Sequence, residues 1–505
     1  MNFSSFSDIV VMLYKAHIVS AWYHLCIISR HFYIKRKKDR HNMKTGNDLG
    51  RDSVPSLVLK LAIPTMVAQF VNVLYSIIDR MYIGHIPEYG DLALAGAGIC
   101  GPIVTLLSSF GTLVGLGGSI QMSIRMGERN MKKARQILSN SLLLLTLFSA
   151  VLTVLFLMIK GQLLRWFGAS DQTFAYANTY LTIYTIGTFF ALMAVGLNYF
   201  INCQGFPVIG MTTVLIGTVC NIILDPVFIF GLNMGIAGAA VATVISQFLS
   251  CSFALAFLSF SKKVPIGISF GQYSGKVMGK ILAIGFSPFL ILASDNVLLI
   301  ATNTVLQKYG GSQGDFLITT ATIVQSYMLL ITSPMLGISG GTQALISFNY
   351  GAANTKRVRD AEKYSLLLCF AFTTVMFIVT RFLPVHFIRL FTSNAEISRL
   401  SVWAIGVFTF AIIPLSLQYV LVDGLTAMER TKTALSLSLF RKSFYVVLVF
   451  ILPLIRKEAT TVFYAQPIAD LTASTVSTIV FLLVFRKHME RREAVFRESS
   501  KRTAI

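Results

Sequence analysis

The chain has 505 residues, of which 54% are hydrophobic and only 13% are charged, and its mean hydropathy is +0.69. Soluble domains average about 25% charged residues, so the composition excludes an ordinary soluble protein and indicates one that lies in a lipid bilayer. The net charge of +21 would also be typical of a nucleic-acid-binding protein. Here the basic residues lie in short clusters between apolar stretches, so they indicate orientation in a membrane, and we expect no nucleic-acid partner.

Twelve apolar stretches are long enough to cross a membrane, which takes about 20 residues for a helix. They lie at approximately 56–83, 93–123, 136–160, 174–201, 208–231, 236–260, 281–307, 316–347, 364–385, 396–423, 433–454 and 462–485. The sequence therefore predicts an all-α integral membrane protein.

Lys and Arg are concentrated in alternate connections. They are abundant after the second, sixth and eighth spans and in the C-terminal tail, whereas residues 84–91 and 232–235 contain none. Because loops rich in Lys and Arg stay on the cytoplasmic side, both termini are predicted to be cytoplasmic. We expect a multi-pass protein of a bacterial cytoplasmic membrane.

The two halves of the chain repeat at a shift of 224 residues. The identical pairs are Pro64 with Pro288, Gly117 with Gly341, Gly127 with Gly351, Asn130 with Asn354, Lys132 with Lys356, Arg135 with Arg359, Arg165 with Arg389 and Phe167 with Phe391. Several of these residues are polar, so shared hydrophobicity does not explain them. Two six-helix halves of equal orientation predict two lobes related by a pseudo-twofold axis along the membrane normal.

This repeat sets the expected boundaries. Residues 43–260 form an N-terminal lobe, 261–279 a linker, 280–485 a C-terminal lobe and 486–505 a basic tail. Residues 1–42 do not fit the pattern, and they include an interrupted apolar stretch followed by Lys35 to Lys38. A signal-like segment or an interfacial helix is one interpretation. We favour Met43 as the true start.

The sequence has no clear motif for a metal site, for ATP binding or for a soluble enzyme. The six cysteines are scattered without a CxxC pair, and no histidine lies in the middle of a predicted span. A histidine-based metal site in the membrane is therefore not expected. The chain also has no G-x-x-x-x-G-K-[ST] loop for ATP. We expect neither an enzyme nor a cofactor.

Asp79 and Asp225 are the acidic residues that best fit a site inside the membrane, where charge is costly. Asp79 lies late in the first span, where the alternatives are an ion site or a pair with Arg80. Asp225 follows Asn221 by four residues, on the same helix face, and precedes Pro226, which disturbs the backbone. This arrangement could hold a proton or a small cation, or it could be a structural carboxylate.

Asp295 lies within the seventh span, opposite Val71 in the repeat, so it breaks the internal symmetry. That difference is compatible with a specialised role or with a local polar contact. Asp423 is expected to be interfacial. Pro64 and Pro288 occupy equivalent places early in each half and are candidate helix bends.

Four stretches resemble the multidrug and toxic compound extrusion (MATE) family, and more closely its MepA-like and DinF-like branches. They are residues 221–231 (NIILDPVFIFG), 234–247, 343–351 (QALISFNYG) and 467–470 (PIAD). The resemblance covers about residues 43–490. It implies twelve helices in two lobes around a central cavity, and antiport of small organic cations against H⁺ or Na⁺.

The resemblance also implies site residues. A cation network in the N-terminal lobe, with Na⁺ as a possible occupant, would use Asp79, Asn221, Asp225 and Thr243. A family bend in the first helix would map to Pro64. Some relatives carry a Glu in the seventh helix, and Asp295 is one methylene shorter than that residue.

The expected function is therefore a monomeric secondary transporter that exports drugs by alternating access. A flippase for lipid-linked precursors is one alternative, but it would need a strongly cationic cavity, and here the basic residues lie mainly in loops. A membrane-embedded acyl- or glycosyltransferase would need catalytic His or paired acids at a membrane face. A receptor that does not transport would give no reason for twofold repetition.

Overall fold

The computed structural model describes residues 47–389, 391 and 394–503. The extension at residues 1–42, including its interrupted apolar stretch, lies outside this range. All regular elements of the described residues are helices, in agreement with the all-α prediction.

The first half contains seven α-helices that account for six predicted spans. They are α1 (Val54–Gly84), α2 (Gly90–Gly127), α3 (Met131–Trp166), α4 (Asp171–Ile186), α5 (Thr188–Asn202), α6 (Pro207–Pro226) and α7 (Ile236–Phe260). Helices α4 and α5 are bent by 57° and together form one span. A π-helical turn, Val227–Gly231, follows Pro226 and completes the fifth span.

The second half follows the same order. Its helices are α8 (Gly275–Gly310), α9 (Gly314–Gly351), α10 (Thr355–Phe382), α11 (Pro384–Ile388), α12 (Ala395–Phe408), α13 (Ile412–Ala427), α14 (Thr431–Arg456) and α15 (Ala465–Thr503). Helices α12 and α13 form one span. By length and composition the described chain has 11 helices able to cross a membrane, or 12 with the bent pair, in agreement with the twelve predicted spans.

Two helix pairs join the halves: α1 packs on α9, and α2 packs on α8. The two pairs are equivalent, because α1 corresponds to α8 and α2 to α9 in the repeat. Glycines permit the closest approach. A Cβ atom on Gly127 would lie 2.0 Å from the carbonyl oxygen of Phe348, and a Cβ atom on Gly351 would lie 2.1 Å from that of Ile124. Residues 124 and 348 are themselves related by the 224-residue shift. These two contacts therefore lie symmetrically across the interface, as a pseudo-twofold axis requires.

The repeated G-x-x-N-x-K motif forms the turn after α2 and after α9. The side chains of Asn130 and Asn354 accept hydrogen bonds of 3.1 Å from the backbone N–H of Lys133 and Arg357, and so cap the next helix. The preceding residues, Arg129 and Ala353, have φ of 60° and 54°. We call the end of the bundle that carries these two turns the basic end.

Pro64 and Pro288 lie inside the uninterrupted helices α1 and α8. Each proline removes one backbone donor from its helix, which favours a bend. The bends at these two residues stay predictions. A local change of helix type does occur at Pro226, where α6 passes into the π-helical turn. Such turns are frequent at functional sites, and this one begins two residues after Asp225.

Candidate functional site

Two buried carboxyl groups meet between α1 and α6. Asp225 is completely buried and Asp79 is 9% exposed. The two side chains lie near each other, but neither carboxyl oxygen of Asp225 has a hydrogen-bond partner among the described residues. Asp79 has no ion pair with Arg80 within 4.0 Å in the described part of the chain. Of the two sequence interpretations of Asp79, the geometry favours the one in which it faces other polar groups.

Asn221 and Thr243 complete the cluster. The Nδ2 atom of Asn221 donates to Oγ1 of Thr243 over 3.3 Å, and the hydroxyl of Tyr75 lies 3.4 Å from the same Oγ1 atom. Tyr75 and Asp79 are four residues apart on α1, as Asn221 and Asp225 are on α6, so each helix presents two polar groups on one face. The structure thus brings together all four residues expected in the N-terminal lobe. We call these four and Tyr75 the acidic cluster.

Four buried oxygens of the acidic cluster have no hydrogen-bond partner among the described residues. They are Oδ1 of Asp79, both carboxyl oxygens of Asp225 and Oδ1 of Asn221. Leaving such atoms unpaired costs about 1–3 kcal/mol each, and more for charged groups. A proton between the carboxyl groups, or a cation among the oxygens, would satisfy them.

The donor set suits a hard cation such as Na⁺, because carboxylate, amide and hydroxyl groups all offer oxygen. Within the described ranges, no group of three or more His, Cys, Asp or Glu side chains gathers in one place. A cation at the acidic cluster would therefore need Asn221 and Thr243, in addition to the two carboxylates.

The polar surroundings continue onto α4, through residues that the sequence analysis did not identify. The hydroxyl of Tyr184 lies 3.2 Å from Oγ of Ser108 and accepts from Nε2 of Gln247 over 3.3 Å. Tyr180 stacks on Tyr184, with ring centroids 6.5 Å apart. The four-residue spacing of the two tyrosines was the available signal, but aromatic residues at this spacing usually form apolar core.

Asp295 lies apart from the acidic cluster, in the second half. Its Oδ1 atom forms an ion pair of 2.5 Å with Nζ of Lys442 on α14. It lines a cavity of about 230 Å³ that also contains Arg441 and Asp470. The predicted set of five site residues therefore divides into four that meet and one that does not.

A third group of acids lies between α10 and α13. Asp423, which we expected to be interfacial, accepts a hydrogen bond of 2.5 Å from Ser339. Glu362 is 4% exposed, and neither of its carboxyl oxygens has a partner in the region that the structure describes. The sequence analysis missed Glu362 because it lies only two turns into its helix, beside Arg359 and Lys363.

The family model MatE matches the chain twice, at residues 64–227 and 290–451. These matches cover more than half of the chain, with one in each half, in agreement with the internal repeat.

Curated relatives support the same family. The multidrug export protein MepA of Staphylococcus aureus strain MSSA476 is 23% identical over 440 residues, which is 87% of this chain and 96% of the relative. MepA of Staphylococcus haemolyticus strain JCSC1435 is 24% identical over 401 residues, or 79% and 87% of the two chains.

Solved structures share the fold. An outward-facing multidrug resistance MATE family transporter of the MOP superfamily matches with a TM-score of 0.80 at 21% identity, over 91% of this chain and 100% of that one. A MOP superfamily transporter from Pyrococcus furiosus Vc1 (DSM3638) gives 0.82 at 21% identity, over 90% and 100%. The predicted twelve-helix fold is confirmed, and the chain belongs to the MatE (MATE) family of multi-pass membrane transporters.

Proposed function

We propose that this chain exports small organic, mainly cationic, compounds in exchange for H⁺ or Na⁺ by alternating access. The observation that carries the proposal is the burial of Asp79 and Asp225 near each other, with carboxyl oxygens that have no partner among the described residues. Multidrug export by the MepA relatives supports the choice of cargo. The basic end faces the cytoplasm in this proposal, and the protein acts as a monomer in a bacterial cytoplasmic membrane.

The exchange follows from charge balance in a dehydrated site. Two carboxyl groups in contact do not both stay ionised without a counter-charge. A proton, a sodium ion or a cationic cargo supplies that charge, and they compete for the same oxygens. Movement of one net charge inward across 100 mV supplies about 2.3 kcal/mol. Exchange of one coupling ion for one singly charged cargo moves no net charge, so the concentration gradient of the coupling ion drives it. The potential adds to this only when more positive charge enters than leaves.

The test is efflux of a cationic dye such as ethidium from cells that express the full chain. We expect Asp79→Asn and Asp225→Asn each to reduce efflux at least tenfold, because each removes the exchangeable charge. Asp91→Asn is the matched control, since Asp91 is exposed in the first turn of α2. Normal efflux by both site variants would refute the proposed exchange.

The coupling ion is identified in proteoliposomes that contain the purified protein. Dye uptake driven by a pH gradient without sodium indicates H⁺, and uptake that requires a sodium gradient at constant pH indicates Na⁺. For Na⁺, we expect Thr243→Val to weaken the sodium dependence, because it removes one oxygen ligand. For H⁺, the same variant should retain transport.

A further inference from the structure

The cavity around Asp295 differs from the acidic cluster because it contains buried cations as well as carboxylates. It is formed by α8, α9, α12, α13, α14 and α15 and has a volume of about 230 Å³. Arg441 and Lys442 enter it from the middle of α14. Buried cations are costly at membrane depth and usually have a functional reason.

Arg441 has a permanent partner in Asp470. Its Nη1 atom donates to Oδ1 of Asp470 over 3.2 Å, and Nε2 of Gln466 donates to both carboxyl oxygens over 3.1 and 2.9 Å. The Asp470 side chain is fully buried. Loss of Asp470 from this position would leave the buried charge of Arg441 unpaired, so we treat the Arg441–Asp470 pair as fixed. Arg441 keeps further N–H donors beyond the one used here.

Lys442 has a partner that can leave. Its Nζ atom donates to the carbonyl oxygen of Ile291 and to Oδ1 of Asp295. The lysine side chain is only 5% exposed, whereas the Asp295 side chain is 56% exposed. Loss of Asp295 from the ion pair therefore costs little for the aspartate, which can be hydrated. For Lys442 the same loss is costly unless another anion takes its place.

The walls around these charges are suited to an apolar body. Leu298, Met328, Phe408, Tyr419 and Tyr445 line the cavity, and the Tyr419 ring lies 5.5 Å from the Arg441 guanidinium. A cavity of about 230 Å³ accommodates a substituted aromatic ring. Its chemistry therefore combines an apolar enclosure with two cationic donors on one side.

We propose that this cavity binds the carboxylate of an amphiphilic cargo, which displaces Asp295 from Lys442 and lies beside Arg441. This inference rests on the proposed transport function, and it assigns a site to the anionic group of a cargo that carries one. The carboxylate of the cargo is held in this cavity by Lys442 and Arg441. Asp295 is the internal anion that occupies Lys442 when no cargo is bound.

The test compares two dyes that differ in one group. Tetramethylrhodamine carries a free carboxylate on its pendant phenyl ring, which is the part of the dye that a cavity of about 230 Å³ accommodates, and in its methyl ester this carboxylate is blocked. Their affinities for the purified full chain in lipid nanodiscs are measured by fluorescence anisotropy at neutral pH. The readout is the affinity of the carboxylate dye divided by that of the ester. This ratio cancels any loss of folded protein, since both dyes bind the same sample.

Lys442→Gln should lower the ratio about tenfold, because it removes the counter-charge. Asp295→Asn should raise the ratio about fivefold, because it removes the competing anion. Substitution of the two partners of one ion pair thus has opposite effects, which a purely structural ion pair would not produce. Lys308→Gln is the control, since Lys308 is an exposed lysine near the C-terminal end of α8. This variant should leave the ratio unchanged.

The proposal is overturned if the ratio is constant in both variants, if it moves in the same direction in both, or if Lys308→Gln lowers it as well. Binding at equilibrium needs no ion gradient, so this result is independent of coupling. Normal efflux by Asp79→Asn and Asp225→Asn, with the expected ratios, would refute the exchange and leave the carboxylate site intact. Loss of efflux with constant ratios would do the reverse.

Discussion

Arg492 and Glu128 form an ion pair of 2.5 Å that ties the last helix to the first half of the chain at the basic end. The same guanidinium donates to the carbonyl oxygens of Tyr350 and Gly351, each over 3.0 Å. Glu128 also accepts from Arg125 over 2.5 Å. The Arg492 side chain on α15 therefore joins the ends of α2 and α9, the elements that must separate if the basic end opens.

Removal of the Arg492 side chain should make the basic end open more readily. We expect Arg492→Gln to reduce the free energy that keeps the basic end closed by about 2 kcal/mol, a value typical of hydrogen bonds to charged groups. Hydrogen exchange in peptides covering 124–133 and 348–357 should then become faster by roughly tenfold or more. Arg491→Gln, which changes an exposed neighbour, serves as the control. Equal exchange in both variants would show that Arg492 does not hold the two turns together.

The ion pair should also have a defined pH dependence. Burial opposes ionisation of Glu128, but hydrogen bonds from Arg492 and Arg125 outweigh it, so the pKa of Glu128 lies below its ordinary value, about 4.3. A lowered pKa stabilises the folded state above the unfolded pKa, and this contribution is lost as the pH falls through the folded value.

We therefore expect the Tm difference between the native chain and Glu128→Gln to be constant from neutral pH down to about pH 5. The difference should shrink only at pH values below about 4.3. Thermal unfolding in detergent, followed by intrinsic fluorescence, measures it. A difference that disappears near pH 6 would contradict the lowered pKa.

The sequence predicted the spans and the repeat, and its resemblance to the family implied the four residues of the acidic cluster. Neither predicted how charges pair between distant spans. Asp295 was recognised as unusual, yet its partner Lys442 lies 147 positions away on α14. Arg441 and Lys442 lie inside the predicted span 433–454, but they were not identified as site residues, because the sequence does not show which groups they face. Only the packing of α8 against α14 reveals the pairing.

The sequence analysis also did not identify polar residues that lie on otherwise apolar helix faces or beside other charges. Tyr75 and Tyr184 have the spacing of apolar core residues, and a tyrosine on an apolar helix face has no feature that separates packing from hydrogen bonding. Glu362 was hidden by neighbouring charges in sequence, although its helix turns it inward. These positions depend on helix rotation, and hydropathy alone does not determine rotation when most faces of a span are apolar.

Asp225 should reduce the stability of the protein, because both of its buried carboxyl oxygens have no partner among the described residues. Asp225→Asn removes the charge and supplies an amide that can donate to Asp79. We expect this variant to raise the Tm by a few degrees, or about 1–2 kcal/mol, while it lowers efflux. Functional groups often have this effect on stability. A lower Tm would mean that the carboxylate is a structural element.

Gly127 and Gly351 should respond equally to substitution, because they lie in symmetric contacts. An alanine Cβ would lie 2.0 Å from the carbonyl oxygen of Phe348 in the first case and 2.1 Å from that of Ile124 in the second. Backbone atoms cannot rotate away, so α2 and α9 must separate at the basic end. We expect Gly127→Ala and Gly351→Ala each to cost about 1–3 kcal/mol and to speed hydrogen exchange in both turns.

Gly98→Ala is the matched control for these two variants, since it also lies on α2 but a Cβ there meets nothing within 4 Å. Alanine in a helix interior is favoured over glycine by about 1 kcal/mol, so this variant should keep or slightly raise the Tm. If the symmetric contacts close the basic end, the double variant of Gly127 and Gly351 should cost less than the sum of the two single variants. One separation of α2 from α9 relieves both clashes. Strict additivity of the two costs would show that each glycine acts on its own helix and would contradict a shared closure.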